Sequence, residues 1–422
     1  MKRRHIAVIG AGISGLTAAQ RIKDRCHVTV FEKEDKPGGL IRCEKVNGCL
    51  FHTCGGHVFN TRHEDVLEWV KTFVDFDKEL LQADRNASII FDGGLEVPYP
   101  IENHIHYLDK SLQRRCIQDF LHISSSGEQT YSDFEDFLKK RFGETLYELY
   151  FAPYNQKVWR SPLDQIPLSW LDGKLPMPTI EEILYNNMNH VEERSFVHAT
   201  FWYPRQNGSQ LFADRLAEGL DIKYNTPVGL VFYNSKTRRW HVAGDVYDGI
   251  VFCGNIKELP AILKGVDMDA YYKDIESLRY HGTTSVFCEI DKNPYSWIYL
   301  PSREYDSHRI ICTGNFSPYN NTEGRMTATI EFTDQIGEER IIDNLDRMPY
   351  HPRYLTHQYH RYTYPIQTED TAAMIRSLKE YLSNKGFYMT GRFADWEYYN
   401  MDVAIKAAMD VCETINNTRT ID

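Results

Sequence analysis

The feature that most restricts this chain lies at its start. Ile6-Ala7-Val8-Ile9 is a short apolar run of the kind that forms a buried strand. It enters Gly10-Ala11-Gly12-Ile13-Ser14-Gly15, after which Leu16, Ala19 and Ile22 recur at helical spacing. Residues 28–31 then read as a second strand that ends on Glu32. Strand, Gly-x-Gly-x-x-Gly turn, helix, strand and acid form the opening of a parallel α/β sheet that binds a dinucleotide. Gly10 permits the tight turn, Gly12 leaves room for a pyrophosphate, and Gly15 lets helix and strand pack closely. The start of the helix offers free N–H groups and a positive dipole end to phosphates. Glu32 can accept hydrogen bonds from a ribose diol, and its charge disfavours a 2′-phosphate, which argues for FAD or NAD over NADP.

The remaining composition narrows the class. The chain has 422 residues, too many for one simple core, so two or three interlocked domains are expected. With 48 Lys+Arg against 59 Asp+Glu the formal net charge is −11, a surface that repels phosphate backbones, and nucleic acid is not an expected partner. The nine cysteines include no Cys-x-x-Cys pair, so reduced thiols in a cytoplasmic protein are expected and no metal site. Lys2-Arg3-Arg4 before an apolar run resembles a secretory signal, but Gly10, Gly12, Ser14 and Gly15 break the run, and the signal reading is rejected. No apolar run is long enough for a membrane span.

Three stretches carry the pattern of a nucleotide-binding domain: residues 1–95, 205–265 and 384–422. The second has a helix-like 210–220 and short strands at 228–233 and 240–243. The third has a strand-like 387–390, Gly391, and a helix from Met401 with Ile405, Ala408, Met409 and Cys412 in register, which Asn400 can cap. Residues 96–204 read as a mainly helical insertion. There Ser132-x-x-Glu135 fits a capping box, followed by a buried stripe of Phe134, Phe137, Leu138 and Phe142. Residues 266–383 read as mostly strand, notably 285–290, 297–300, 309–314 and 327–332. The expected fold is α/β: a Rossmann-type FAD-binding domain with an inserted helical domain and an antiparallel β-sheet substrate domain.

The choice of FAD rests on resemblance. Glu32-Lys33 followed by Gly38-Gly39-Leu40 resembles the FAD motif of the amine oxidase and protoporphyrinogen oxidase superfamily, in which the second glycine pair also approaches the cofactor. Gly391-Arg392-Phe393 before the last helix resembles the segment that touches the diphosphate and ribityl region there. The helix start would stabilise negative charge on a reduced flavin. Further segments resemble one branch, the UDP-galactopyranose mutases. These are Gly55-Gly56-His57-Val58-Phe59, Tyr154-Asn155-Gln156-Lys157-Val158-Trp159, Phe201-x-Tyr203-Pro204-Arg205-x-x-Gly208, Arg309 with Asn315-Phe316-Ser317-Pro318-Tyr319-Asn320, Tyr364-Pro365, and Gly391-Arg392-Phe393-x-x-Trp396-x-Tyr398.

The resemblance implies a flavin-dependent mutase that interconverts pyranose and furanose forms of a nucleoside-diphosphate sugar. Reduced flavin N5 would be the nucleophile, and NADPH or NADH the reductant. It implies His57, Arg309 and Lys174 as catalytic residues. The cofactor residues would be Gly10, Gly12, Ser14, Gly15, Glu32, Lys33, Gly38, Gly39, Leu40, Gly56, Gly391, Arg392, Asp402 and Val403. Asn155, Trp159, Tyr364 and Tyr398 would hold substrate. Arg309 is a fixed charge suited to a diphosphate, the two phenols can donate to the same group, and Trp159 has a face for a sugar or uracil ring. Trp170-Leu171-Asp172-Gly173 leads to Lys174 where the family's mobile loop carries an arginine. Arg160 and Arg194 are further candidates for that charge. Homo-oligomers are compatible with the sequence. The alternative is an FAD-dependent oxidoreductase of the protoporphyrinogen oxidase or amine oxidase kind, which needs an apolar channel. The polar set His57, Asn155, Lys157, Arg309, Asn315 and Tyr364 argues against it.

Overall fold

The computed structural model describes residues 3–127, 130–168, 178–191 and 200–417. The strand Arg4–Ile9 stands at the centre of a five-stranded parallel sheet, between Gly249–Phe252 and Cys26–Phe31. Phe387–Met389 and Asp221–Lys223 form its edges. Residues 6–9 and 249–252 of the central strands are apolar and buried, or nearly so, because both faces are covered there. The helix Ile13–Ile22 and the long C-terminal helix Met401–Asn417 pack against each other on one face. A four-stranded sheet, including Val231–Asn234 and Arg239–Val242, flanks the other side of the nucleotide-binding half.

The second half is built on a seven-stranded sheet. Its order is Arg353–Ile366, Arg279–Ile290, Met326–Thr333, Arg309–Ile311, Trp297–Tyr299, Ala87–Ile90 and Glu96–Pro98. All neighbours run antiparallel except Trp297–Tyr299 beside Ala87–Ile90. The last two strands thus come from residues 87–98, at the join of the first two stretches, and not from residues beyond 266. Helices Lys110–Ser125, Phe134–Phe142, Ala152–Trp159 and Ile180–Asn189 cover one face of this sheet and share a core with it. A π-helical turn, Tyr147–Phe151, leads directly into Ala152–Trp159. One extra residue per turn there re-aims the following helix, a device common beside functional sites.

Local expectations are corrected in three places. The helix Phe134–Phe142 is capped by Asp133, whose carboxylate accepts the Asp136 N–H, while Asp136 reaches back to the Ser132 N–H. The cap is therefore Asp133 and not Ser132, with no reciprocal box, while the Phe134, Phe137, Leu138 and Phe142 stripe is buried as expected. The stretch read as mostly strand also holds helices Asp269–Ser277, Glu338–Leu345 and Glu369–Ser383. Their first turns carry acids that complement the helix dipole. It also contains the 14-residue strand Arg353–Ile366, whose polar, half-exposed sequence lacks an alternating pattern.

All nine cysteines are free thiols. Among the described residues no helix is long and apolar enough to cross a membrane.

Candidate active site

The glycine turn is as tight as its sequence requires. Gly10 has φ +100° and donates to the Phe31 carbonyl at 2.8 Å. A Cβ on Gly15 would lie 1.9 Å from the Gly10 carbonyl oxygen. Gly38 (φ +125°) donates to the Ala11 carbonyl at 2.9 Å, and a Cβ on Gly12 would sit 3.9 Å from the Gly39 Cα, so the two glycine pairs lie backbone against backbone. Glu32 is buried. Its Oε2 accepts the Ala11 N–H at 2.7 Å and its Oε1 accepts the Glu34 N–H at 3.0 Å. The acid therefore fixes the loop itself, and its remaining lone pairs are free to take ribose hydroxyls. Gly391 (φ +108°) closes on the same turn from the C-terminal side, where an added Cβ would stand 3.0 Å from Ser14 Oγ. Asp395 holds that turn by accepting the Gly391 N–H at 3.0 Å while it pairs with Lys379.

These pieces enclose a cavity of about 1040 Å³. Gly10, Gly12, Ser14, Gly15, Glu32, Lys33, Gly38, Gly39, Leu40, His57, Gly391 and Arg392 all line it. Asp402 and Val403 lie in the first turn of Met401–Asn417. Their neighbours Asn400, Met401 and Ala404 line the cavity and they do not. Gly56 is set back from it for a steric reason, since a Cβ there would meet Ile311 Cγ2 at 2.6 Å. Gly56→Ala is therefore expected to destabilise the fold by about 1–3 kcal/mol through overpacking. Thermal melts should show this, and Ile311→Ala in the same chain should cost less than on its own because the new methyl fills its space.

His57 enters the cavity from this loop. Its Nε2 is buried and has no hydrogen-bond partner among the described residues. Burial lowers its pKa to about 4, and the Arg392 charge adds to the shift, so the imidazole is neutral at pH 7. Behind it lies a residue that sequence reasoning missed. His52 is 0 % exposed, and burial lowers its pKa to about 3. Its ring joins Tyr203 Oη at 2.7 Å and Ser209 Oγ at 3.2 Å. Ser209 in turn donates to the Ile41 carbonyl at 2.7 Å, and Asn320 donates to Tyr203 Oη at 3.1 Å. The buried chain ties the histidine loop to the turn after Gly39.

Beside His57 and Arg392 stands a charged and phenolic cluster. Tyr364 and Tyr398 stack with ring centroids 5.2 Å apart, and the Arg392 guanidinium lies 4.0 Å over the Tyr398 ring. Arg392 donates to the carbonyls of Thr363 and Tyr399, and its buried Nε has no partner among the described residues. Arg309 Nη2 donates to Tyr364 Oη at 3.2 Å. Its Nε pairs with Glu331, directly opposite on the neighbouring strand. Glu331 is 1 % exposed, while Arg309 keeps 19 % exposure. Burial alone would raise the Glu331 carboxyl, but the Arg309 charge and the His308 contact outweigh it and hold it well below the usual range. Burial pushes the Tyr364 phenol well above its usual value, so it stays a donor. Glu331 was also missed. Its only signal is a lone acid inside the otherwise uncharged strand Met326–Thr333.

Other expected residues are placed differently. Trp159 is 4 % exposed and meets the Tyr364 ring edge-on at 6.2 Å, so it braces that tyrosine from the core and presents no open face. Asn155 Nδ2 is turned back to the Phe151 carbonyl at 2.8 Å. Asn315 donates to the carbonyls of Asn293 and Tyr295, and Lys157 to three others, so neither faces the cavity. Arg160 is an exposed residue that caps its helix with φ +47°. Lys174 and Arg194, and the Trp170-Leu171-Asp172-Gly173 segment, lie outside the described residues. The cavity is also lined by Arg42, Lys257, Gln358, His360 and Arg361, none of which local sequence marks. Among the described residues no group of three or more His, Cys, Asp or Glu could hold a metal ion.

Fold and site together define an α/β protein with a Rossmann-type cavity, lined by His57 and Arg392; Arg309, Tyr364 and Tyr398 stand behind Arg392 and do not line it. Residues 8–73 match the NAD(P)-binding Rossmann-like domain model. Over nearly its full length the chain is similar to proteins named as nucleotide-sugar mutases. It is 23% identical to the dTDP-fucopyranose mutase of Escherichia coli, with 97% of each chain covered. It is 22% identical to the UDP-galactopyranose mutase of Mycoplasma genitalium, covering 95% of this chain and 92% of the relative. A crystal structure of reduced UDP-galactopyranose mutase superposes with a TM-score of 0.87 at 21% identity, covering 100% of this chain and 95% of that one.

Proposed function

We propose that the protein is a flavin-dependent mutase that interconverts pyranose and furanose forms of a nucleoside-diphosphate sugar. The observation that carries this reading is the junction of a dinucleotide cavity with Arg309, Tyr364, Tyr398 and Arg392 beside His57. FAD fits the residues present. The glycine pairs leave a bare backbone cradle, Glu32 has oxygens for a ribose, and the buried Nε2 of His57 and Nε of Arg392 await partners. When bound and reduced, by NADPH or NADH, the flavin would supply a nucleophilic N5.

The chain's own part is positioning and electrostatics. Arg309, fixed by Glu331 and bonded through Nη2 to Tyr364, would offer its remaining N–H groups to an anion. The Tyr364 phenol, kept protonated, can donate to the same oxygens, and Tyr398 stacks beside it. As a diphosphate leaves a sugar its negative charge grows, and these groups favour that state without reorganising. Neutral His57, with its buried Nε2 unpartnered among the described residues, would be able to hydrogen-bond the cofactor without adding charge. Lys174 is proposed as a second cation for the diphosphate. The two arginines favour an anionic ligand over an amine cation.

The test is anaerobic incubation of dithionite-reduced, flavinated protein with UDP-galactopyranose and dTDP-fucopyranose, followed by chromatography for the furanose. Ring interconversion with one of them is expected. Oxygen consumption with amines or porphyrinogens, and no interconversion with either nucleotide sugar, would replace this reading with the oxidase one.

A further inference from the structure

We infer that Lys157 is a positioning residue for the anion cluster: its ammonium locks the loop that delivers Arg309. The inference rests on the reading of Arg309 as a diphosphate ligand. Lys157 projects from the helix Ala152–Trp159 and donates to the carbonyls of Leu300 at 2.7 Å, Ser302 at 2.5 Å and Ser307 at 3.0 Å. An ammonium has three N–H groups, and all three are used. The acceptors lie at both ends of the loop between strands Trp297–Tyr299 and Arg309–Ile311. Leu300, Ser302 and Ser307 are buried, so these carbonyls cannot turn to water instead.

The same residue reaches the other half of the ion pair. The Lys157 carbonyl accepts the Thr333 hydroxyl at 2.7 Å, and Thr333 stands two residues beyond Glu331 on its strand. One lysine thus joins the helix that carries Trp159 to both strands that hold the Arg309–Glu331 pair. The loop has other ties, chiefly at Asp306, which pairs with Arg340 at 2.7 Å and accepts from Asn344 Nδ2 at 2.9 Å. Leu300 donates to the His308 carbonyl at 2.9 Å, and the Ser307 hydroxyl to the Arg309 carbonyl at 3.3 Å. Ser302 reaches Asp92. Without the ammonium, three buried carbonyls would lose their donor, and the loop would shift to hydrate them. Arg309 follows Ser307 by two residues, and its 3.2 Å bond to Tyr364 leaves little tolerance for such a shift.

The experiment compares flavinated wild type with Lys157→Met, Lys157→Gln, Arg309→Lys and the Lys157→Met/Arg309→Lys double variant, using UDP as the probe. Lys157→Met is expected to keep stoichiometric FAD and to bind UDP about tenfold more weakly or worse. Glutamine, with two N–H groups, should recover part of that loss. Because lysine and arginine act through one guanidinium, the double variant should bind no more weakly than Arg309→Lys alone. UDP affinity unchanged in Lys157→Met, or losses that multiply in the double variant, would overturn the inference. If Lys157→Met does not fold, Lys157→Gln decides: wild-type affinity there is equally contrary. Hydrogen exchange at the Leu300 and His308 amides gives a reading without ligand. Should wild type bind neither UDP nor dTDP, the diphosphate reading falls, and unchanged protection of those amides in the variant would remove Lys157's positioning role as well.

Discussion

Protein carrying Gly15→Ala is expected to purify without flavin. The new Cβ would lie 1.9 Å from the Gly10 carbonyl oxygen and 3.0 Å from its carbon, atoms of a backbone that cannot rotate away. The start of helix Ile13–Ile22 must then move off the strand Arg4–Ile9, taking with it the N–H groups aimed into the cavity. Overpacking of this kind costs about 1–3 kcal/mol or more, and a displaced phosphate cradle should lower FAD affinity at least about a hundredfold, near 2.7 kcal/mol. Gly12→Ala separates fold from ligand. Gly12 has φ −72°, which alanine adopts freely, and its Cβ would meet only the Gly39 Cα, at 3.9 Å. That variant should melt like wild type and still lose FAD. Flavin-to-protein ratios, titration of the apoprotein and thermal melts read both. Stoichiometric FAD in Gly15→Ala would contradict the packing argument, and stoichiometric FAD in Gly12→Ala would show that the cradle is not where phosphate sits.

Arg309→Ala should be the most damaging single change at the anion cluster. It removes the guanidinium and strands Glu331, at 1 % exposure, with His308 at 3.5 Å as its remaining ion-pair partner among the described residues. Breaking a buried pair from one side costs about 3–5 kcal/mol. The pH dependence carries a sign. In the wild type the Glu331 pKa is depressed, so its contribution is present above the unfolded carboxylate pKa near ~4.3 and is lost as pH falls through the lower folded value. In Arg309→Ala burial remains and the cation is gone, so the folded pKa moves above the unfolded one. The penalty is then greatest at neutral pH and shrinks on acidification. Melting temperatures of the two proteins should converge between pH 7 and pH 4. Glu331→Gln added to Arg309→Ala should restore much of the stability at pH 7 and none of the UDP binding. A stability difference that stays constant with pH would mean that Glu331 is not the group left behind.

The contrast between these two experiments follows the contrast between what was legible and what was not. The glycine turn, Glu32, the Gly38-Gly39 pair and the Gly391-Arg392 turn are local. Each is a few contiguous residues whose conformations demand glycine or whose position ends a strand, so the dinucleotide cavity could be read before any tertiary contact was known. His57 was found the same way, through the glycines before it. Trp159, Asn155, Lys157 and Asn315 sit in readable motifs too, and what their side chains contact was not legible there: Trp159 meets Tyr364, and the others bond backbone carbonyls. A motif marks that a segment approaches a site. It does not state which way each side chain turns once the segment is packed.

The amino-acid sequence by itself therefore determined the parallel sheet and the bare glycine cradle at its edge, because those follow from periodicity and from backbone conformations open only to glycine. Tertiary structure alone decided the rest. Arg309 meets Glu331 across two strands, Arg392 covers Tyr398, Lys157 ties a helix to the loop before Arg309, and residues 358–362 of a long strand close the cavity. Each of those depends on burial, where the low dielectric makes an unpaired charge or carbonyl costly and so selects one partner. That selection is made by neighbours in space and leaves no local pattern in the chain.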